Sequence, residues 1–444
     1  MLRPPTPRDF LRILGLVYLM AFISFGTQAL GLIGSHGILP IGEYLNAARE
    51  AGATWQVPSL LWINSSNAAL TAVWILGALC SLAAVFLPWQ RTALAGCLVL
   101  WLSISAVGQD FLSFQWDTLL LEAGFLALFA DDSPIRVWLF RWLTFRLMFS
   151  SGAIKLLSHD PTWRGLTALS YHYETQPLPT PPAWYMSQLP MIFQKASTLV
   201  VLIVEIAVPF LFFLPRRFRR IGAWITIGLQ MLILFTGNYT FFNWLTIALA
   251  MWLFIEPGRE PEGRHRVVSI SLAAFIAVSS GLVMLALFSV PLPTAGNQFL
   301  RLIDPLRIVN TYGLFANMTT TRLEIVVEGS NDGVQWQDYE FPYKPGDVYR
   351  PPPVIAPFQP RLDWQMWFAA LGSYQENRWF VNFMLRLLQG EPRVTHLLSY
   401  NPFPHAPPKF IRARLYLYHF THWGQRAWWS REERGLYFPA VSLK

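Results

Sequence analysis

The residues with the clearest chemical potential lie in one stretch, RLMFSSGAIKLLSHDPTWRGLTALSYHYETQPLPTPP (146–182). The stretch starts as the end of an apolar helix that carries Arg146 and Lys155. It then continues, without a linker, into a loop rich in His, Tyr, Glu, Trp and Arg. An ionisable side chain in a hydrocarbon-spanning helix is costly, and it marks a functional-site candidate. The stretch predicts a protein that works at a membrane face.

Lys155 is the strongest catalytic candidate. A partly desolvated lysine can serve as a base or nucleophile, and Asp117 or His172 would be its partner. The competing interpretation is that the charged residues of the spans are structural ion pairs. By helix depth, Asp117 lies at the outer rim with Lys155, and Glu122 lies about 7 Å deeper. The deeper set of structural charges is Glu122, Arg146 and Glu205.

The loop after Lys155 also offers a binding surface. His172 and Glu174 are two positions apart, which suits a metal-ligand pair or a client surface, but no third ligand follows and no metal is predicted. QPLPTPP (176–182) predicts a stiff edge for a partner. Polar groups of other spans reach the same boundary and predict a polar vestibule. Together the client-binding or pocket candidates here are Gln115, Trp116, Trp163, Arg164, His172, Tyr173, Glu174, Gln176, Asn238 and Asn243.

Composition indicates the elements that position these residues. Of 444 residues, 53% are hydrophobic and only 14% are charged, which is typical of a polytopic membrane protein. The net charge of +8 comes from clusters in short loops. This pattern favours contact with membrane lipid and excludes a nucleic-acid footprint. Cys80 and Cys97 both lie in apolar runs, so the exposed parts have no disulfide framework.

The predicted fold is an α-helical polytopic bundle of about nine spans, followed by a soluble α+β or β-sandwich-like domain. Residues 1–290 would form the transmembrane domain, with outside loops at 34–67 and 157–196, and residues 291–444 the extracytoplasmic domain. The apolar runs are 11–33, 68–87, 92–107, 115–130, 138–156, 197–214, 220–236, 240–255 and 267–290.

Basic residues predict the orientation. With the N-terminus inside, twelve arginines fall in the inside segments, including the run PRRFRR (215–220), and only Arg49, Arg164 and Lys195 fall in the short outside loops. This asymmetry follows the positive-inside rule for an odd number of spans. The loop at 157–196 and everything after residue 290 would therefore face away from the cytoplasm.

Within the C-terminal domain, RLEIVVEGSNDGVQWQDYEF (322–341) predicts a hairpin around Asn-Asp-Gly. RLDWQMWFAALGSYQENRWFVNFMLRLL (361–388) predicts two helices, and IRARLYLYHF (411–420) a strand. The chain has no G-x-S-x-G, HExxH, Walker A or dinucleotide-binding motif. A standard hydrolase, zincin or nucleotide-driven enzyme is therefore not expected.

Several unusual motifs resemble the lipase maturation factor family: FQWDTLLLEAGFLALF, FRLMFSSGAIKL, TWRGLTALSYHYETQPLPTP, GNYTFFNWLT, RLDWQMWFAAL and NPFPHAPPKFIRARLYLYHF. Animal members are multi-pass endoplasmic reticulum proteins needed by secreted homodimeric lipases, such as lipoprotein lipase. The resemblance implies a shorter relative, bacterial and in the cytoplasmic membrane, or in the endoplasmic reticulum membrane if the chain is eukaryotic. Its client would be a secreted protein, a lipase by resemblance. Its RLDWQMWFAAL segment adds Arg361, Asp363 and Trp364 to the pocket or client residues.

A shorter likeness concerns Lys155 alone. GAIKLLSHDPTWRG is similar to a segment of vitamin K-dependent gamma-carboxylases, in which a matching lysine is thought to act as the base on a quinol. Two hypotheses follow. The leading one is a non-enzymatic assembly factor without a cofactor, whose loop at 157–196 and hairpin edge at 322–341 bind a client. The alternative is a membrane-embedded enzyme that uses Lys155, with a quinone-like or lipid molecule beside it. The oligomeric state is left open.

Overall fold

The computed structural model describes residues 3–259 and 262–443. Its first part is a helical bundle with short connecting helices. Helix α1 begins where Thr6 and Asp9 form a capping box around Pro7, which satisfies amide groups at the helix start. The helices before the C-terminal domain are α1 (Pro7–Gly26), α2 (Ala29–Ile33), α3 (Ile41–Glu50), α4 (Asn67–Phe86), α5 (Gln90–Val107), α6 (Gln115–Ala127), α7 (Pro134–Leu157), α8 (Pro161–Arg164), α9 (Ala168–Thr175), α10 (Pro181–Ser187), α11 (Met191–Ile206), α12 (Arg216–Thr236), α13 (Phe242–Ala250) and α14 (Arg264–Leu287).

Within the described residues, six helical segments are long and apolar enough to cross a membrane: Pro7–Gly26, Asn67–Phe86, Gln90–Val107, Met191–Phe213, Arg216–Thr236 and Arg264–Leu287. The expected count of about nine is therefore not confirmed. Helix α6 has 13 residues and α13 has 9, too few to cross about 30 Å at 1.5 Å per residue. Helix α7 has 24 residues but carries four basic side chains, Arg136, Arg141, Arg146 and Lys155.

One end of the bundle, here called the basic end, collects arginines at helix starts. Arg91 at the start of α5 donates to the carbonyl of Ala130, and Arg136 at the start of α7 donates to Ser269 Oγ (3.2 Å). Arg219 at the start of α12 pairs with Glu256 (2.7 Å). These contacts tie several helix starts together at the same end of the bundle.

The residues that follow α14, here called the C-terminal domain, pack against the opposite end of the bundle, here called the domain end. There the end of α1 meets the domain, since Gln359 N donates to Ser24 Oγ (2.7 Å) and Gln28 Nε2 donates to the Gln359 carbonyl (2.8 Å). The start of α1 and the C-terminal domain therefore lie at opposite ends of a helix long enough to span.

The C-terminal domain is built on one antiparallel sheet. Its elements are α15 (Thr294–Ile303), β1 (Arg322–Ser330), β2 (Gln337–Tyr339), α16 (Arg361–Ala369), α17 (Arg378–Leu388), α18 (Pro392–Thr395), β3 (Phe410–Phe420) and β4 (Trp429–Val441). The strand order is β2-β1-β3-β4, and β1 pairs with β3 from Arg322 opposite Tyr418 to Ser330 opposite Phe410. The hairpin, the two helices and the strand at 411–420 follow the sequence pattern.

Two expectations for this domain need correction. The described residues contain one four-stranded sheet with helices packed on it, so the fold is α+β and not a sandwich of two sheets. The hairpin at 322–341 does not present a long free edge, because β1 is central and almost wholly buried and β2 has three residues. The long edge strand is β4, whose start carries the charged run Arg431–Arg434, a common protection of edges.

Candidate functional site: a cavity beneath the C-terminal domain

The buried charges form pairs that differ in part from those expected from helix depth. Lys155 Nζ pairs with Glu205 Oε2 (2.6 Å) and not with Asp117. Asp117 instead forms a bidentate salt bridge with Arg361 of the C-terminal domain, in which each carboxylate oxygen accepts a hydrogen bond of 2.9 Å. Arg146 pairs with Glu122, so Glu205 is not part of that deeper set. For Asp117 the depth argument failed because it left out Arg361, which the C-terminal domain inserts. For Lys155 it failed because it placed Glu205 at another depth, although the two side chains meet between α7 and α11.

Lys155 is held by three neighbours. Besides Glu205, its ammonium donates to the Ser151 carbonyl (3.1 Å) and lies 5.1 Å from the centre of the Trp163 ring. Gly152 makes this arrangement possible, because a Cβ there would lie 2.5 Å from Ile206 Cγ1 and 2.8 Å from Glu205 Cβ. The absent side chain lets α11 approach α7 closely enough for the ion pair to form.

The ion pair borders a cavity of about 490 Å³ between α7, α9, α11, α12 and α13. Its walls are mainly aliphatic and aromatic, for example Leu147, Met148, Phe193, Val200 and Leu229. A few polar side chains join them: Lys155, His172, Glu205, Gln230, Tyr239 and Asn243. A large apolar cavity with a few convergent polar groups is the usual form of a small-molecule site.

Hydrogen bonds orient the polar side chains of the cavity. Tyr239 OH donates to Gln176 Oε1 (2.9 Å), since the Gln176 amide nitrogen already donates to the carbonyls of Tyr173 and Thr236. The Tyr239 oxygen can therefore only accept from His172 Nε2, 3.1 Å away. Asn243 Nδ2 donates to Gln230 Oε1 (2.7 Å). This network assigns His172 the tautomer with its hydrogen on Nε2.

The electrostatics keep His172 neutral. Burial, and then the nearby positive charge of Lys155, lower the pKa of His172 to about 4. Glu174 faces the other way, where it accepts from His419 Nδ1 (3.0 Å) and the Phe420 amide (2.8 Å) of β3. His172 and Glu174 therefore do not converge as a ligand pair. Among the described residues, no cluster of three or more His, Cys, Asp or Glu side chains could hold a metal.

Most of the other expected pocket residues join the C-terminal domain to the bundle. Asn238 caps the segment before α16, because its Oδ1 accepts from the amides of Ile355 (2.8 Å) and Ala356 (3.1 Å), and its Nδ2 donates to the Pro353 carbonyl (2.8 Å). Trp116 Nε1 donates to Gln359 Oε1 (2.9 Å). These side chains satisfy backbone and amide groups at an internal interface and do not form an open vestibule.

Further candidates have similar structural contacts. Gln115 Oε1 accepts from the Gly313 amide (3.0 Å), and Trp163 Nε1 donates to the Phe315 carbonyl (2.9 Å). Asp363 Oδ1 accepts from the amides of Tyr343 and Lys344 (2.9 and 2.7 Å), although burial raises the pKa of Asp363 to about 6. Trp364 lies buried against Trp116 and Tyr239. Arg164 is exposed beside His159.

The segment 176–182 is not a free edge for a partner, contrary to expectation. Residues 176–180 are buried, and Pro179 bridges to Gly237. Arg322 of β1 donates to the carbonyls of Glu174 (2.6 Å), Gln176 (2.5 Å) and Pro177 (2.9 Å). A proline-rich segment has few amides of its own to pair, and its carbonyls are satisfied here by the buried guanidinium of Arg322 and by Asn238, which donates to Leu178 and Pro179.

Several residues central to this site were not found from the sequence. Arg322, Gln359 and Gln28 contribute to the interface, and Tyr239 to the cavity. The GNYTFFNW motif did carry a signal for Tyr239, since it contains Asn238 and Asn243. The other three side chains contact residues that lie 145 or more positions away in sequence, and a single chain gives no sign of such pairs.

Comparison with known proteins assigns this architecture to a family. The lipase maturation factor transmembrane-domain model matches residues 6–257, and the C-terminal-domain model matches residues 308–439. The chain is 37% identical to lipase maturation factor 2 of Gallus gallus, over 99% of this chain and 82% of that protein. It is 35% identical to lipase maturation factor 2 of Homo sapiens (98% and 83%) and to lipase maturation factor 1 of Mus musculus (98% and 86%). No solved structure matches the chain. The chain therefore belongs to the lipase maturation factor family.

Proposed function

We propose that this protein is a membrane-anchored, chaperone-like maturation factor for secreted lipases. The observation that carries the proposal is the match to lipase maturation factors 1 and 2 over nearly the whole chain, in both the transmembrane and the C-terminal parts. The client would be a lipase that reaches its active form only with this help. The proposal needs no cofactor, because it depends on surfaces that hold a client.

The position of the charges supports a structural role for the buried ionisable groups. Asp117 is engaged by Arg361, and Lys155 by Glu205, so the lysine and aspartate of the catalytic alternative belong to separate ion pairs. Both matching family models describe lipase maturation factors, and nothing supports the gamma-carboxylase-like alternative.

We further propose that the basic end faces the cytoplasm and that the C-terminal domain faces away from it. The arginines at the starts of α5, α7 and α12 gather at the end opposite the C-terminal domain, as the positive-inside rule favours. A secreted client would then meet the domain after translocation. The bacterial origin, and with it the bacterial cytoplasmic membrane, stays a prediction.

An exposed aromatic corner is the client surface that we propose. Its exposed side chains are Tyr185 of α10 and Trp423 of the β3–β4 turn, which lie against the buried Trp184 of α10 and the half-buried Trp428 of the turn. Trp423 is 72% exposed and Tyr185 is 47% exposed, with ring centres 5.5 Å apart. Exposed aromatic groups of this kind are enriched at binding surfaces, because they offer a large contact area at low entropic cost. The loop at 157–196 thus contributes through α10 and not through residues 172–176, whose side chains contact the cavity and the C-terminal domain.

The test is co-expression of this chain with a secreted homodimeric lipase in host cells that lack family members. The wild-type chain is expected to raise lipase activity per secreted lipase molecule. The double variant Tyr185→Ala/Trp423→Ala should lose most of this gain, because loss of a central aromatic contact commonly weakens binding by about tenfold or more. Tyr400→Ala, which removes another exposed aromatic side chain, is the matched control.

The possible outcomes test the maturation function and the location of the client surface separately. If the wild-type chain does not raise lipase activity, the maturation function is wrong. If it does, but the double variant matches the wild type and the control, the function stands and the aromatic corner is not the client surface.

A further inference from the structure

The cavity beside Lys155 opens sideways. Several of its lining side chains are also exposed on the outer surface of the bundle: Val200 of α11 is 54% exposed, and Leu232 and Phe235 of α12 are 62% and 59% exposed. Both helices belong to segments that can cross a membrane. The mouth between them is therefore rimmed by apolar side chains that would face lipid chains, near the domain end of the bundle.

The interior fits one long aliphatic chain. A volume of about 490 Å³ lies within the range of about 300–1,000 Å³ that is usual for small-molecule sites. The apolar lining runs from the mouth inward to the polar side chains at Lys155, His172 and Asn243. An occupant that matches this change from apolar to polar lining has an apolar tail at the mouth and a polar head inside.

Two polar atoms among the lining residues have no hydrogen-bond partner. Asn243 is fully buried, and its Oδ1 is unpaired while its Nδ2 binds Gln230. His172 Nδ1 is also buried and unpaired, while its Nε2 lies against Tyr239. A buried polar atom without a partner loses its hydrogen bond to water, so these two acceptors among the lining residues of one cavity favour an occupant that pairs with them.

Both unpaired atoms are acceptors. An amide oxygen can only accept, and so can His172 Nδ1 in the tautomer that Tyr239 and Gln176 impose. The complementary head group must therefore donate. A quinone carries only acceptors, and a carboxylate would bring a negative charge beside Glu205. A hydroxyl group can donate a hydrogen bond to either unpaired acceptor and adds no charge.

We propose that this cavity binds a neutral membrane lipid with a hydroxyl-bearing head, which enters between α11 and α12 and directs its hydroxyl groups to Asn243 and His172. A monoacylglycerol and a long-chain alcohol share this chemistry. The site is independent of the client: it would exist even if the maturation function were wrong.

The experiment uses the full chain purified in detergent, with lipid binding followed by native mass spectrometry and by thermal shift. The probes share one C18 tail and differ in their heads: 1-monooleoylglycerol, oleyl alcohol, and methyl oleate, which has no donor. We expect at least tenfold weaker binding of methyl oleate. If 1-monooleoylglycerol binds more tightly than oleyl alcohol, its two hydroxyl groups pair with both acceptors, Asn243 Oδ1 and His172 Nδ1. If the two probes bind equally, only one hydroxyl group of the head is bound.

A pair of variants on α11 tests the location. Val200→Trp places a large side chain in the mouth and is expected to reduce 1-monooleoylglycerol binding at least tenfold. Leu199→Trp, also exposed but not part of the cavity lining, should bind as the wild type does. Equal binding of methyl oleate and 1-monooleoylglycerol would overturn the hydroxyl-bearing class. Unchanged binding by a folded Val200→Trp variant would overturn the site.

Discussion

Replacement of Arg361 by methionine is expected to destabilise the protein by about 3–5 kcal/mol, the usual cost of removing one partner of a buried ion pair. Arg361 and Asp117 are both almost completely buried, and the guanidinium also donates to the Phe111 carbonyl (2.6 Å). The variant leaves the Asp117 carboxylate without a counter-charge at the interface between the bundle and the C-terminal domain. The thermal unfolding midpoint of the purified chain in detergent measures the effect.

Two controls make this prediction specific. Arg307→Met removes a partner from the exposed Arg307–Asp304 pair (2.9 Å), and its cost should stay within about 1 kcal/mol. The double variant Asp117→Leu/Arg361→Met removes both buried charges and should regain much of the lost stability. An Arg361→Met protein as stable as the wild type would show that the C-terminal domain is not locked to the bundle by this pair.

Replacement of Lys155 by methionine is expected to have an effect of similar size, about 3–5 kcal/mol, because it leaves Glu205 unpaired at the edge of an apolar cavity. Lys155→Arg keeps the positive charge and should retain both folding and lipase maturation. The double variant Lys155→Met/Glu205→Gln, which removes both charges, should be more stable than Lys155→Met alone. Thermal unfolding and the co-expression assay supply the two readouts.

The arginine variant separates the structural from the catalytic role of Lys155. An arginine remains charged at any working pH and cannot act as a base. A Lys155→Arg protein that folds normally but no longer supports lipase maturation would contradict the ion-pair interpretation.

Local patterns in the sequence were sufficient for much of the C-terminal domain. Alternation of apolar residues predicted β1 and β3, and helical periodicity predicted α16 and α17, because each pattern reflects a face that must be buried. Strand β4 escaped notice, since its first half carries the charged run Arg431–Arg434 and only later residues such as Tyr437 and Phe438 are buried.

The candidate site was harder to predict because its partners are distant in sequence. Lys155 and Asn243 were recognised as polar residues in apolar surroundings, but their partners Glu205 and Gln230 depend on how the helices pack. The loop residues Glu174 and Gln176 were taken for a docking surface, yet His419 and Arg322 of the C-terminal domain cover them. A single sequence does not tell a polar group that serves a partner from one that serves the fold.

The central claim is that the C-terminal domain and its aromatic corner face away from the cytoplasm while the basic end faces it. Single cysteines at Val334, which is 80% exposed in the C-terminal domain, and at Arg217 of the basic end test this claim with a membrane-impermeant thiol reagent on intact cells. The account predicts that Val334→Cys is labelled directly and that Arg217→Cys is labelled only after permeabilisation. Labelling of both positions from one side, or the reverse pattern, would contradict it.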